Sequence, residues 1–464
     1  MADHGPYAGG STAEALVLAD RVVDIAADVC RSAGAPGAEL QTMVGTGEES
    51  LTRFAASAIH QNVTDAVQSV RLTVTVDGRT ASAGGTQVDD DDLRRLATAA
   101  LDAAKLTPPD PQWPGLAPPA TPLAAAAPTD PAPCSADERA EAVRAFVDAA
   151  GSLETAGFCS SSAVVRAYRN STGQRIAAAV GSATIDGIAR APLGARFADG
   201  SGRASGTRIR DLDAAAAGAR AARTATAAAR EAADVEPGSW PVVLQPGAVG
   251  DVLGLLSFYG YSGRTATEGR SFVQLGEPQL DPAVTLVCDP LDPRLPAVPF
   301  DEEGTPARSF DLVRAGVSSG FAYDRRGARV SGATSTGSAL ASSFFAGGVA
   351  SSLRLEPGTA TLDELVASVE RGLLVTDFWY TRVLDPRTLV LTGLTRNGLF
   401  VIEDGAVVRP APNVRFTQSY AEALAPGAVR GIGSDAVLML DAPFGILAPS
   451  ISLEAWRITG NSAG

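Results

Sequence analysis

Imidazole is nearly absent from this chain: 464 residues hold two histidines, His4 and His60, and one lysine, Lys105. His4 stands in a Gly-rich tail expected to be mobile, so two neighbouring histidines cannot found a metal site here. A Ser-His-Asp triad would have to use His60, and no G-x-S-x-G elbow exists to serve it. Schiff-base chemistry and a P-loop both need a placed lysine. Lys105 closes a helical pattern just before Thr107 and Pro108, with no Gly-rich loop around it. The four cysteines, Cys30, Cys134, Cys159 and Cys288, form no C-x-x-C pair and read as buried free thiols of a reducing compartment. Positive charge is short as well. A net charge of −14 argues against nucleic acid or an anionic membrane as partner. No run of about 18 apolar residues is present, and Met1 to Gly10 lacks the order of a secretory signal. The expectation is a soluble, cytoplasmic protein.

What is present is an ordinary globular balance, 45% hydrophobic and 19% charged, long enough for two or three domains. Ser11-Thr12-Ala13-Glu14 reads as a capping box, followed by Leu16, Ala19, Val23, Ala26 and Cys30 at helical spacing up to Gly34. Glu39 to Val44 and Glu49 to Phe54 read as strands. Val70 to Val76 alternates before Asp77-Gly78, a two-residue hairpin turn. The run Asp89 to Asp92 suits the start of a helix, where carboxylates meet the positive end of its dipole. From Thr107 to Pro133, ten of twenty-seven residues are proline, which predicts an extended connector. Ser135 to Glu138 opens a second capping box, strands follow around a turn at Asn170 to Gly173, and Asp211 to Ala233 predicts an Ala-rich helix. After Trp240 the texture changes. Val242 to Leu244 predicts a strand, Gly247 to Tyr259 one helix, and Asp363 to Arg371 another. Between and beyond them run short, Gly-punctuated strands, including a hairpin at Asp404-Gly405. The predicted class is α+β: an N-terminal α+β domain (1–106), a Pro-rich linker (107–134), a central α+β domain (135–238) and a large, mostly antiparallel β domain (239–464).

Four places invite a chemical reading. Asp301-Glu302-Glu303 suggests paired carboxylates for acid–base work, although adjacent acids on a turn ending at Gly304 more often just face water. His60 suits a structural role inside a hairpin better than that of a base. Ser271 and the run Ser331 to Ser338 offer hydroxyls but no neighbouring base. Tyr380-Thr381-Arg382 and Thr395-Arg396-Asn397 are the better candidates. Arginine beside hydroxyl and amide groups suits a carboxylate or a peptide backbone, and strands so edged can take an extended peptide.

Several segments in order resemble the TldD/PmbA peptidase family. They are Leu51 to Asn62, Asp77-Gly78-Arg79, Asn170 to Gly173, Phe300 to Gly304, Tyr380 to Arg382, Gly393 to Gly398, Asn413 to Thr417 and Ala448 to Ile451. The first is similar to the TldE, or PmbA, subunit type. The resemblance implies two related subunit types that pair. The TldD type carries an H-E-x-x-x-H helix that holds zinc with a C-terminal cysteine, and the TldE type lacks those ligands. Here the corresponding helix, Gly247 to Tyr259, puts Gly254 and Tyr259 at the histidine positions and Leu255 at the glutamate. No histidine follows His60 and no cysteine follows Cys288.

The resemblance therefore implies a subunit without catalytic residues or cofactor of its own, paired with a TldD-like partner that supplies zinc, and acting on short or unfolded peptides or modified peptide precursors. Two alternatives stand beside it: a pair that cleaves an amide or ester in a natural product, and a non-enzymatic homodimeric scaffold or peptide-binding protein.

Overall fold

The computed structural model describes residues 10–122, 133–341, 347–441 and 443–461; His4 and linker residues 123–132 lie outside them. The first helix, α1 (Thr12–Ser32), starts as the capping box predicts. The Ser11 hydroxyl accepts the Glu14 amide, and the Glu14 carboxylate accepts the Ser11 amide at 2.7 Å. Six strands then build one antiparallel sheet: β1 (Glu39–Ala55), β2 (Ala58–Val76), β3 (Arg79–Gly85), β4 (Glu154–Asn170), β5 (Arg175–Leu193) and β6 (Arg196–Gly206), in the order β3-β2-β1-β4-β5-β6. Asp77 and Gly78 both have positive φ, the geometry the hairpin turn requires.

α1 and α2 (Asp90–Leu106) bury Ala19, Val23, Ala26, Leu93 and Leu101 against Leu40, Val44, Leu72 and Val74 of the sheet. α3 (Ala136–Ala149) and α4 (Ala214–Ala228) cover Phe54, Cys159, Ile185 and Ala189 in the same way. Met43, Tyr168 and Ile176 instead meet Phe300 of the C-terminal region. The described part of the Pro-rich connector is extended and docked. Arg326 pairs with Asp110 at 2.7 Å, and Arg329 donates to the Trp113 carbonyl at 2.7 Å.

The C-terminal region holds two more sheets. One orders β10 (Val317–Ser318), β9 (Phe310–Arg314), β8 (Leu286–Cys288), β11 (Ser352–Leu355), β18 (Phe444–Ala448) and β17 (Val437–Asp441). The other runs β12 (Arg371–Asp385), β7 (Gly238–Leu244), β19 (Ile451–Asn461), β15 (Val414–Ser419), β13 (Val390–Glu403) and β14 (Ala406–Pro410). There β16 (Val429–Ile432) also pairs with β19, and β12 with β13. Pairing is antiparallel apart from β7–β12 and β11–β18. α5 (Pro246–Leu255) joins their common core through Val249, Val252 and Leu253. The core centres on the buried Trp456, which stacks on Phe378 at 5.0 Å.

Four expectations about helices and strands change, and one about burial. Glu39 to Phe54 is one strand rather than two. Gly47, which looks like a break, sits where β4 passes so close that a Cβ would lie 2.2 Å from the Ala163 carbonyl. The Ala-rich helix is shorter: Asp213 caps it by accepting the Ala216 amide, and past Ala229 the chain leaves to bond Ala233 to the Pro410 carbonyl. The helix predicted over Asp363 to Arg371 spans Leu362–Ala367, because Arg371 already begins β12. The helix predicted over Gly247 to Tyr259 is α-helical to Leu255 and becomes a π turn over Leu256–Gly260. Of the cysteines, Cys30, Cys159 and Cys288 are buried free thiols, while Cys134 is half-exposed. Among the described residues no helix is long and apolar enough to cross a membrane.

Candidate functional site: a cleft between the sheet and α5

α5 starts with Pro246 at its first turn, where a missing amide hydrogen costs nothing. Its inner face is apolar; its outer face, Gly247, Gly250, Asp251, Gly254 and Leu255, is small and carries one charge. That face forms one wall of a cleft of about 670 Å³. Opposite stand Phe158, Asp186, Ser201 and Arg203 of the six-stranded sheet. β12, β13, β17 and β18 close the remaining sides. The π turn that follows α5 is a feature often found beside functional sites.

Two irregularities in the β12–β13 ladder shape the floor. Register shifts between Val375 and Asp377, and again between Trp379 and Arg382. Tyr380 and Asn397 carry positive φ there. In an unbroken strand, neighbours point to opposite faces; a bulge re-aims them. Trp379 and Tyr380 are accordingly both exposed, at 52% and 65%. Arg396 stacks over Trp379 at 4.0 Å and Arg382 over Tyr380 at 4.3 Å. Arg382 also donates to the Thr381 carbonyl at 2.8 Å. The planar guanidinium is thereby held over the ring with donors to spare for a carboxylate or carbonyl.

The acids of the cleft are deeper. Asp251 accepts the Tyr420 hydroxyl at 2.8 Å, and burial pushes its carboxyl up to about 6. Asp441 of β17 adds a like charge that acts in the same direction. Burial also raises Asp377, offset by hydrogen bonds from Ser201 at 2.8 Å and Asn397 at 3.2 Å. Asp377 packs against the start of α5, where a Cβ on Gly247 would lie 1.9 Å from its Oδ1. Asp186 is ion-paired with Arg203. Arg220, nearby, is lowered by burial.

The cleft thus brings together Tyr380, Thr381, Arg382, Arg396, Asn397, Gly254 and Leu255. It leaves out two of the sequence candidates. Thr395 is buried and accepts the Val414 amide at 3.0 Å, tying β13 to β15. Tyr259 lies in the π turn against the core and beside Phe258. A zinc centre needs three or four N, S or O ligands converging on one point. Glycine and leucine offer none, and among the described residues no three His, Cys, Asp or Glu side chains are grouped to hold a metal ion. Gly254, Leu255 and Tyr259 do not fit that ion.

The remaining candidates fall elsewhere. Asp301, Glu302 and Glu303 do not face water. Asp301 accepts the amides of Glu303, Thr305 and Ala339 at 2.9–3.0 Å, and Glu303 accepts that of Arg325. Glu302 bridges Arg71 and Arg166 of the six-stranded sheet. Gly304 lies against Tyr168, and its carbonyl accepts Gln174 at 2.7 Å. The turn fastens the C-terminal region to that sheet. His60 is exposed on β2. The Ser271 hydroxyl bonds to the Gly260 carbonyl, and Thr336 and Ser338 bond to each other. Missed from sequence were Asp251, Asp377, Trp379, Tyr420 and Asp441. Asp251 did leave a signal, a lone acid in the otherwise uncharged pattern of α5.

Comparison with known proteins adds to this geometry. Residues 237–460 match the family described as the PmbA/TldA metallopeptidase C-terminal domain. The metalloprotease TldD homolog of Haemophilus influenzae is 25% identical over 192 residues, 40% of this chain and 39% of that protein. Its counterpart in Buchnera aphidicola subsp. Acyrthosiphon pisum is 25% identical over 240 residues, 48% of each. The match therefore spans less than half the length of these curated relatives. The crystal structure of TldE from Thermococcus kodakarensis superimposes with a TM-score of 0.84 over 96% of this chain and all of that one, at 20% identity. That likeness is one of fold.

Proposed function

Because this chain belongs to the TldD/PmbA family, we propose that it is the substrate-positioning subunit of a two-subunit metallopeptidase and that a TldD-like partner supplies the zinc. One observation carries the reading: α5, which the family resemblance aligns with the zinc helix, lines the cleft with Gly254 and Leu255, and no histidine follows His60. Loss of the metal ligands with retention of a large, polar-and-aromatic cleft suits a subunit that binds and does not cleave.

The cleft's size supports a peptide as occupant. About 670 Å³ admits a few extended residues and no folded domain. Arg382 and Arg396 provide directional donors for backbone carbonyls or carboxylates, and Trp379 and Tyr380 provide apolar surface for side chains. Enclosing this cleft against a partner would restrict cleavage to flexible chains and protect folded proteins.

The test is reconstitution. Purified chain, a TldD-like protein carrying H-E-x-x-x-H, and the mixture are assayed on an unstructured fluorogenic peptide. The mixture is expected to cleave and this chain alone to be inactive. Full-rate cleavage by this chain alone, in the presence of a chelator, would refute the proposal.

A further inference from the structure

Resting on the peptide-binding reading, we propose that the cleft selects its peptides by a carboxylate group, which Arg382 and Arg396 bind. Each guanidinium lies over an exposed ring, Arg382 over Tyr380 at 4.3 Å and Arg396 over Trp379 at 4.0 Å. The ring shields one side from water, while most of the N–H donors stay open to a partner. Arg382 gives one donor to the Thr381 carbonyl. Among the described residues no acid is bonded to either guanidinium. The backbone that carries them is strained as well. Tyr380 and Asn397 take φ of 56° and 59°, a region that a bulky residue such as tyrosine seldom enters. Each falls within one of the two register shifts of the β12–β13 ladder. Those shifts set the two rings, and the guanidinium groups over them, on the exposed side. Strain kept along one wall of a cleft suits a wall that binds.

Charge decides the chemistry. The other arginines of the cleft are engaged: Arg203 pairs with Asp186, and Arg220 donates to the Arg203 carbonyl at 3.3 Å. Asp251 and Asp441 belong to other walls, α5 and β17. Open cationic donors therefore stand on the β12–β13 wall, and an anion is drawn there and repelled from the α5 side. A carboxylate accepts two parallel N–H bonds from one guanidinium and carries the opposite charge, which a neutral carbonyl cannot match. Trp379 and Tyr380 then offer apolar surface to the residues beside it.

A peptide's carboxylate comes from its carboxyl terminus or from an acidic side chain, so the experiment separates the two sources. The full chain is titrated calorimetrically at pH 7 with three unstructured, N-acetylated Ala/Ser octapeptides: one with a free carboxyl terminus, one amidated, and one amidated with glutamate at its last position. A carboxylate-bearing peptide is expected to bind about tenfold more tightly than the neutral one, as a charge-assisted hydrogen bond implies. The tighter of the two assigns the carboxylate to the chain terminus or to a side chain. The double variant Arg382→Gln, Arg396→Gln should abolish the preference, leave the neutral peptide's affinity about unchanged and unfold at the wild-type midpoint. Equal binding of all three peptides by wild-type protein would overturn carboxylate selection and leave the peptide-binding reading standing. A preference that survives in the double variant would overturn the assignment to these arginines. Absence of binding by all three to folded wild-type protein would overturn both readings.

Discussion

The turn at Asp301–Gly304 and the cleft beside α5 both gather carboxylates, and they treat them in opposite ways. In the turn every acid is committed: Asp301 to three amides, Glu302 to two arginines, Glu303 to the Arg325 amide. In the cleft, Asp251 meets the hydroxyls of Tyr420 and Thr381, and Asp441 stands exposed. Asp301 and Glu302, each held by several amides or guanidinium groups, brace the turn that joins two parts of the fold. An acid on a cleft wall, met by hydroxyls, keeps acceptor capacity for a ligand, and the fold carries the cost of burying it.

That contrast can be broken most directly at Asp301. Asp301→Ala leaves three buried amides without an acceptor and should lower stability by about 3–5 kcal/mol, read from urea unfolding. A loss below about 1 kcal/mol would mean the turn is not a fastener. Asp251 should behave in the reverse sense. Its folded-state pKa, about 6, lies above the unfolded value, so its contribution is complete below about pH 4 and is lost as pH rises through 6. Asp251→Asn is therefore expected to be more stable than wild type by roughly 1–3 kcal/mol at pH 8 and no more stable at pH 4. Thermal unfolding at the two pH values checks this, and an equal difference at both would contradict it. Glu302→Ala removes the shared partner of Arg71 and Arg166, which are partly exposed, and should cost about 1–2 kcal/mol in the same urea assay. The smallest effect is expected at the rim. Arg396→Ala should weaken binding of a free peptide about two- to fivefold, near the value of an exposed cation–π contact, without changing the unfolding midpoint.

The two regions also differ in how they could be read beforehand. The α+β class, both capping boxes and the hairpins at Asp77-Gly78 and Asp404-Gly405 rest on local chemistry, and local chemistry is legible in a sequence. The hairpin at Ala56-Ser57 was not: both residues take positive φ without the Asn, Asp or Gly that normally announces it. Arg382, Arg396 and Asn397 could be picked out because arginine beside aromatic and amide groups is a local pattern. The acids of the cleft could not, because Asp251, Asp377 and Asp441 are brought together only by the packing of α5 against β12 and β17. The acidic turn misled for the matching reason. Three adjacent acids are conspicuous, yet what Glu302 bonds to, Arg71 and Arg166, lies more than a hundred residues away. Thr395 shows the limit within one motif, since strand alternation turns it inward while Arg396 faces out.

The most direct test of the account is the zinc content of the reconstituted pair and of each purified subunit, measured by elemental analysis after exhaustive dialysis. The account predicts one zinc per pair, all of it carried by the TldD-like subunit, and none retained by this chain. Stoichiometric zinc in this chain alone, sustaining peptide hydrolysis, would contradict it.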